Sequence, residues 1–357
     1  MKIGIFGGSF NPVHRGHISV AEHAIKHLSL DKLIFVPAFK SPFKSKVKYV
    51  DGQHRIQMLE IAKPQKATIS HFEINRKSIS YTIDTVKYFK QKYPNDELFL
   101  IIGSDNIHKL NKWKSINEIV EMLKIVVFRR DNEFSKLNIK RYGCILIDNP
   151  IYDFSSTWFR KGHMHNVDKA VMKYISSQYL YIPELMKNML DHKRYQHSKS
   201  VASYAAKFAK SAGVNSKKAW VAGSLHDITK SWSFERHKKF LINQDVDITN
   251  IKDFQLHSMS GYYWLKNKYM MEDEEIMKAV LRHTSLADEL SMMDKVIFAA
   301  DKMCDGRRHP GIQNDRELIM KNFDVGFKKI IGIVYELLIK MNRDFSDEEK
   351  AIYERWK

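Results

Sequence analysis

Short apolar runs and stretches with helical periodicity alternate along the first half of the chain. Ile3–Phe6, Leu33–Val36, Leu98–Ile102, Ile125–Phe128 and Cys144–Ile147 read as buried strands. Between them lie helical patterns: Ile18, Ala21, Ile25 and Leu28 on one face, then Ile56–Ala62 and Thr82–Lys92. This alternation predicts an α/β fold with a doubly wound parallel sheet, whose ligands bind beyond the carboxyl ends of the strands. From Pro183, a residue suited to a helix first turn, the strand signal stops and successive helices follow. The pattern therefore predicts two domains, residues 1–181 and an all-α bundle over 183–357, joined by a short connection that is not rich in Gly or Ser. An amphipathic stripe, Ile331, Val334, Leu338 and Met341, is expected to close that bundle.

The first strand runs into Gly7-Gly8-Ser9-Phe10-Asn11-Pro12-Val13-His14-Arg15-Gly16-His17. Backbone N–H groups at such a strand–loop–helix junction suit phosphate, and two imidazoles three residues apart on the first helical turn can donate to it. A tight turn alone would also explain the glycines. Lys40 and Lys44 flank a loop stiffened by Pro37 and Pro42; they read either as phosphate contacts or as solvated charge. Ser80-Tyr81-Thr82-Ile83-Asp84-Thr85 opens a helix, where the hydroxyls can serve simply as caps. Gly103-Ser104-Asp105 ends a strand with a carboxylate placed for a ribose or adenine contact. Ser155-Ser156-Thr157 with Arg160 a turn later makes a second anion site or an ordinary cap.

The run ending in His14-Arg15-Gly16-His17, with Ser155-Ser156-Thr157-x-x-Arg160 some 140 residues on, resembles the bacterial nicotinate mononucleotide adenylyltransferases. The resemblance implies a Rossmann-like nucleotidyltransferase using ATP and nicotinate mononucleotide, with Mg²⁺ across the ATP phosphates. It implies His14, His17, Lys44 and Arg160 as catalytic donors, and Gly8, Ser9, Phe10, His17, Gly103, Asp105, Ser156, Thr157 and Arg160 around ATP. It places Lys44, Tyr81, Thr82 and Trp113 around the pyridine nucleotide, although a lone tryptophan is by itself more often core. Where that family shows Arg-Pro-Gly, this chain has Arg129-Arg130-Asp131, which weakens the assignment of Arg129.

The second half carries His197, the pair His226-Asp227, His257, His283 and Asp301 on separate helical segments. Imidazoles and carboxylates from several helices are how bundles hold borderline or hard divalent metals. Together these six resemble the dinuclear HD phosphohydrolases, and more closely the YqeK group, which cleaves dinucleoside tetraphosphates symmetrically. That implies two divalent metals, iron or manganese by preference, on the six residues, with Asp227 and Lys230 catalytic and Arg307 and Arg308 as further phosphate contacts. His192, His237 and His309 are set aside as ordinary side chains. After Asp301 the group's Tyr-Ile-Glu-Pro-Gly-Arg is here Lys302-Met303-Cys304-Asp305-Gly306-Arg307, which bears on the choice of substrate. Diadenosine tetraphosphate is the expected substrate; another nucleotide or phosphoester, or a regulatory module without turnover, are the alternatives.

Charge and composition refine this only slightly. A net charge of +18 fits polyanionic ligands, but the lysines are spread along the chain, so nucleic acid is not expected as a partner. Two cysteines without a C-x-x-C exclude a disulfide framework or thiolate metal site, and Met1–Phe6 enters the first strand without a leader pattern. A reducing cytoplasm is therefore expected. No apolar run reaches membrane-spanning length, and homo-oligomerisation is left open.

Overall fold

The computed structural model describes the chain apart from residues 43–47, 132, 152–153 and 342–344. It forms two compact units, one of residues 1–159 and 163–174, the other of 160–162 and 175–357. The division falls inside the helix Lys169–Ser177, several residues before the expected 181–183.

In the first unit six strands form a single parallel sheet: β1 (Lys2–Gly8), β2 (Lys32–Pro37), β3 (Ala67–Ile69), β4 (Glu97–Gly103), β5 (Lys124–Phe128) and β6 (Ile145–Ile147). Their order is β3-β2-β1-β4-β5-β6, with Ile5 opposite Ile34 on one side and Leu100 on the other. Successive crossovers depart in opposite directions from β1 and β4, so the topological switch point lies between them. The central strands are buried almost throughout, with Ile3, Ile5, Val36, Leu100 and Val127 in one core. Sequence pattern missed β3, a three-residue edge strand too short to show a period.

In the second unit every described element is helical. Its principal helices are Ile182–Met189, His192–Ser211, Ser216–Leu225, Phe234–Ile242, Leu256–Asn267, Glu274–Arg282, Met292–Met303, Ile312–Lys321, Phe323–Lys340 and Asp347–Trp356. Pro183 stands in the first turn of its helix, as expected. Polar caps set several starts: Asp191, Asn215, Ser233, Asp273 and Ser291 each accept from a first-turn backbone N–H. The terminal stripe is only partly buried. Ile331 is in the core, whereas Met341, just past its helix, is 68% exposed. Among the described residues no helix is long and apolar enough to cross a membrane.

Candidate functional sites

A cavity of about 510 Å³ opens at the carboxyl ends of β1 and β4. Gly8, Ser9, His14, His17, Tyr81, Thr82, Gly103, Asp105 and Trp113 all line it, so the structure gathers most of the residues expected in the first half. A side chain at either of two glycines would displace a neighbour, the buried Phe10 ring at Gly8 and the more flexible Asp105 and Arg130 side chains at Gly103. A Cβ at Gly8 would meet the Phe10 ring at 2.9 Å, and one at Gly103 would lie against Asp105 and 2.7 Å from Arg130.

The two histidines sit at the start of the helix Arg15–His27, their rings 3.6 Å apart. The His14 backbone N–H donates to His17 Nδ1 at 3.2 Å, which leaves the neutral His17 ring its proton on Nε2 as a donor. His14 is 4% exposed and its Nδ1 has no hydrogen-bond partner among the described residues. Burial, helped by the Arg130 charge, pushes its pKa down to about 3. It therefore stays neutral at physiological pH.

That burial gives a signed prediction. The unfolded chain binds a proton at His14 near pH 6.5, the folded chain only near 3. The unfolded state thus holds more protons between these values, so stability is full above pH 6.5 and falls as pH drops, by about 1.4 kcal/mol per pH unit. Chemical denaturation of the first unit at pH 7 and pH 5 should show wild type losing about 2 kcal/mol more than His14→Asn. Equal losses would contradict the burial argument.

Four expected residues are placed differently. Phe10 is fully buried rather than ligand-facing. With φ at +45° it packs edge-on against Phe6 at 5.7 Å, Phe35 at 5.4 Å and His17 at 4.9 Å, so it braces His17 from behind. Ser156 donates to the Pro12 carbonyl at 2.8 Å, tying the later motif to the first loop instead of lining the cavity. Thr157 is exposed, and neither it nor Arg160 is among the described lining residues. Arg160 falls with residues 160–162 in the second unit. Lys44 lies outside the described residues.

Other lining residues escaped the sequence reading. Arg129 and Arg130 both line the cavity, and it is the Arg130 charge that acts on His14. The Arg130 guanidinium reaches Asp105 at 3.4 Å and the Phe154 carbonyl at 3.3 Å, while Arg129 pairs with Asp148. Glu73 is buried on the cavity wall, and burial raises its pKa. It accepts from Thr85 Oγ1 at 2.5 Å, and Ser80 Oγ accepts from the Phe39 N–H at 3.0 Å. The hydroxyls read as helix caps therefore bind Glu73 and the neighbouring loop. Arg55, 1% exposed, donates to the carbonyls of Ser9, Ala38 and Val50 at 2.7–2.9 Å. No linear pattern marks a buried arginine.

The second unit brings all six expected metal ligands together. His197 Nε2 lies 3.3 Å from His226 Nε2 and 3.1 Å from Asp301 Oδ1. His257 Nε2 lies 3.2 Å from both His283 Nε2 and Asp227 Oδ1. Two groups, His197/His226/Asp301 and His226/Asp227/His283, share His226, with donor atoms within 4.8 Å in each. The ring orientations are fixed from behind: His226 Nδ1 lies 2.7 Å from the Gly223 carbonyl and His283 Nδ1 2.6 Å from that of Val280. A carbonyl only accepts, so those nitrogens carry the protons and each neutral ring turns a bare Nε2 inward.

The electrostatics suit a cation. Burial holds His226 and His257 near pKa 4, hence neutral. Burial opposes ionisation of Asp227 and Asp301 as well, but the imidazoles around Asp227 and Lys302 beside Asp301 keep both carboxyls well below the usual range. The neutral rings of His226 and His257 and the ionised carboxylates belong to the donor set for divalent metals; at His197 burial disfavours the charge, but Asp301 and the Cys304 sulfur raise its pKa to about 9, so a metal there displaces a proton. Lys230 Nζ stands 2.9 Å from His257 Nδ1, Arg194 3.4 Å from Asp227 Oδ2, Arg307 2.9 Å from Asp301 Oδ1 and Lys302 Nζ 2.6 Å from Asp301 Oδ2, so four cations ring the cluster. Two of the histidines set aside are satisfied elsewhere: His237 on Ser260 at 2.9 Å and His309 on Asp315 at 2.8 Å.

Comparison with known proteins agrees with this division. Residues 5–162 match the cytidylyltransferase-like family and residues 194–305 the HD domain family, whose members bind divalent metals. A Mycoplasma genitalium protein named probable nicotinate-nucleotide adenylyltransferase/Ap4A hydrolase is 33% identical over 315 residues, 86% of this chain and 88% of its own length. A Mycoplasma pneumoniae protein of the same name is 29% identical over 95% of this chain and 98% of its length. An Aquifex aeolicus probable nicotinate-nucleotide adenylyltransferase is 44% identical over 142 residues, 39% of this chain and 84% of that protein. The chain, a cytidylyltransferase-like domain followed by an HD domain, belongs to the nicotinate-nucleotide adenylyltransferase/Ap4A hydrolase family.

Proposed function

We propose that the first unit transfers the adenylyl group of ATP to nicotinate mononucleotide, and that the second hydrolyses diadenosine tetraphosphate symmetrically to ADP. The observation that carries the reading is that a relative spanning both units bears both activities in its name, while each unit here has its own assembled site.

In the first unit the nicotinate mononucleotide phosphate attacks the α-phosphorus of ATP in line, and pyrophosphate leaves. No covalent intermediate on the protein is needed, so its task is orientation and stabilisation of charge on the phosphate oxygens. His17 Nε2–H, the neutral His14 ring, the Arg130 guanidinium and the amino end of the helix Arg15–His27 supply that stabilisation. Mg²⁺ enters with ATP as part of the substrate. Tyr81, Thr82 and Trp113 line the same cavity and are assigned to the pyridine nucleotide. Lys44 and Arg160 stay assigned as further phosphate donors, and Ser156 and Thr157 as supports of the loop and helix end. Replacing His17 by Ala should lower kcat for nicotinate adenine dinucleotide formation by roughly 10²–10³, the cost of one preorganised donor. A change below threefold in steady-state rate would remove His17 from the chemistry.

In the second unit His197, His226, Asp227, His257, His283 and Asp301 would hold two divalent ions. When bound, such ions supply Lewis acidity at the phosphates and a more acidic water. The protein's own part is to present the Nε2 lone pairs of His226 and His283 with the carboxylates of Asp227 and Asp301, and to meet the polyphosphate with Lys230, Arg194 and Arg307. Arg308 follows in the same loop as a further candidate. Iron or manganese is the metal the resemblance implies; the imidazole and carboxylate donors themselves call for a borderline or hard divalent ion. The reducing cytoplasm is the expected location.

A further inference from the structure

We propose that Cys304 is a positioning residue for the metal centre: its sulfur holds His197 in the tautomer that turns Nε2 toward the metal. The proposal rests on the metal-centre reading above.

Four imidazoles meet in the second unit, and each has its Nδ1 engaged by a different group. Those of His226 and His283 face helix carbonyls and that of His257 faces Lys230. His197 Nδ1 faces sulfur, 3.5 Å from Cys304 Sγ. Cys304 caps the carboxyl end of the helix Met292–Met303 and is fully buried. Its S–H donates to the Asp301 carbonyl at 3.3 Å. With the thiol proton committed there, the sulfur offers His197 a lone pair. Nδ1 is then a donor, and Nε2 is the nitrogen turned toward Asp301 Oδ1 and His226 Nε2.

The sulfur itself is held in place. The Asp301 carbonyl also accepts from Arg307 Nε at 3.0 Å, and the Cys304 carbonyl accepts from Arg316 Nη2 at 3.1 Å. One turn of chain, 301–307, thus carries a metal ligand, the group that orients a second ligand, and an arginine on the first. Cys304 touches no substrate in this scheme; it acts through His197.

The test uses the full chain and Zn²⁺ alone. Calorimetric titration gives stoichiometry and affinity, and ¹⁵N-histidine spectra of the Zn²⁺-loaded protein give each ring's tautomer. Wild type and Cys304→Ser, whose hydroxyl keeps both a donor and a lone pair, should bind two ions with His197 protonated on Nδ1. Cys304→Ala should bind one of the two about 10–100-fold more weakly, with the His197 tautomer no longer fixed. Should Cys304→Ala not fold, Cys304→Val fills the space without a lone pair and is read the same way. Unchanged affinity and tautomer in the Ala or Val protein would overturn the proposal, as would a Ser protein as weak as the Ala one. A folded wild type that takes up no Zn²⁺ would overturn the metal-centre reading itself, and the role of Cys304 with it.

Discussion

Asp227→Ala should abolish diadenosine tetraphosphate hydrolysis, by at least ~10³, while leaving adenylyl transfer untouched. Asp227 is the centre of the cluster: its carboxylate oxygens stand 3.2 Å from His257, 3.5 Å from His283 and 3.6 Å from His226. Changing a group that merely orients a metal ligand costs about 10–100-fold, and losing a central carboxylate ligand costs more. The unit should nevertheless fold. Burial already keeps His226 and His257 neutral, so removing the carboxylate strands no buried imidazolium on either. Circular dichroism and a metal count separate the outcomes. The expected result is a folded protein with less metal, no hydrolysis and wild-type production of nicotinate adenine dinucleotide, because the described residues that line the first cavity all belong to the first unit. Retained hydrolysis would detach the metal cluster from the chemistry.

Arg55→Met should cost the first unit about 3 kcal/mol or more and, in whatever protein remains folded, weaken ATP binding. The Arg55 guanidinium spans three carbonyls from two loops, that of Ser9 after β1 and those of Ala38 and Val50 after β2. Removing it leaves buried acceptors unpaired at about 1–3 kcal/mol each, not fully additive. Ser9 and Ala38 are themselves cavity-lining residues, so the phosphate loop after β1 and the loop after β2 lose their common anchor. Lysine is no substitute, since a single ammonium cannot reproduce the planar fork. Arg55→Lys is therefore expected to recover only part of the stability, measured by denaturant midpoint, and to keep a raised KM for ATP. Full recovery with Lys would reduce Arg55 to a generic buried charge.

What the linear pattern revealed, and what it did not, follows from the kinds of interaction involved. β1, β2, β4 and β5 were legible because strands buried on both faces read as continuous apolar runs. The three-residue β3 was not, because its pairing with β2 comes from tertiary context. His14 and His17 were legible from a dense local motif, and the six expected metal ligands from their resemblance to the HD phosphohydrolases. Arg55 sits in the first turn of the helix Gly52–Ala62, where a charged residue reads as surface. Glu73 likewise lies in a short polar stretch, and its burial depends on hydroxyls seven and twelve residues away. Phe10 was assigned to the ligand because it lies within the motif, yet its neighbours on β1 and β2 claim the ring. Burial of polar groups is decided by chain crossings that adjacent residues do not record.

The most direct test of two separate chemistries in one chain is product analysis. Metal-reconstituted full-length protein is incubated with diadenosine tetraphosphate, beside Asp227→Ala, and the nucleotides are resolved chromatographically. ADP as the sole product, lost in the variant, is the predicted result. AMP with ATP would contradict symmetrical attack, and no product from metal-loaded wild type would contradict the hydrolase assignment.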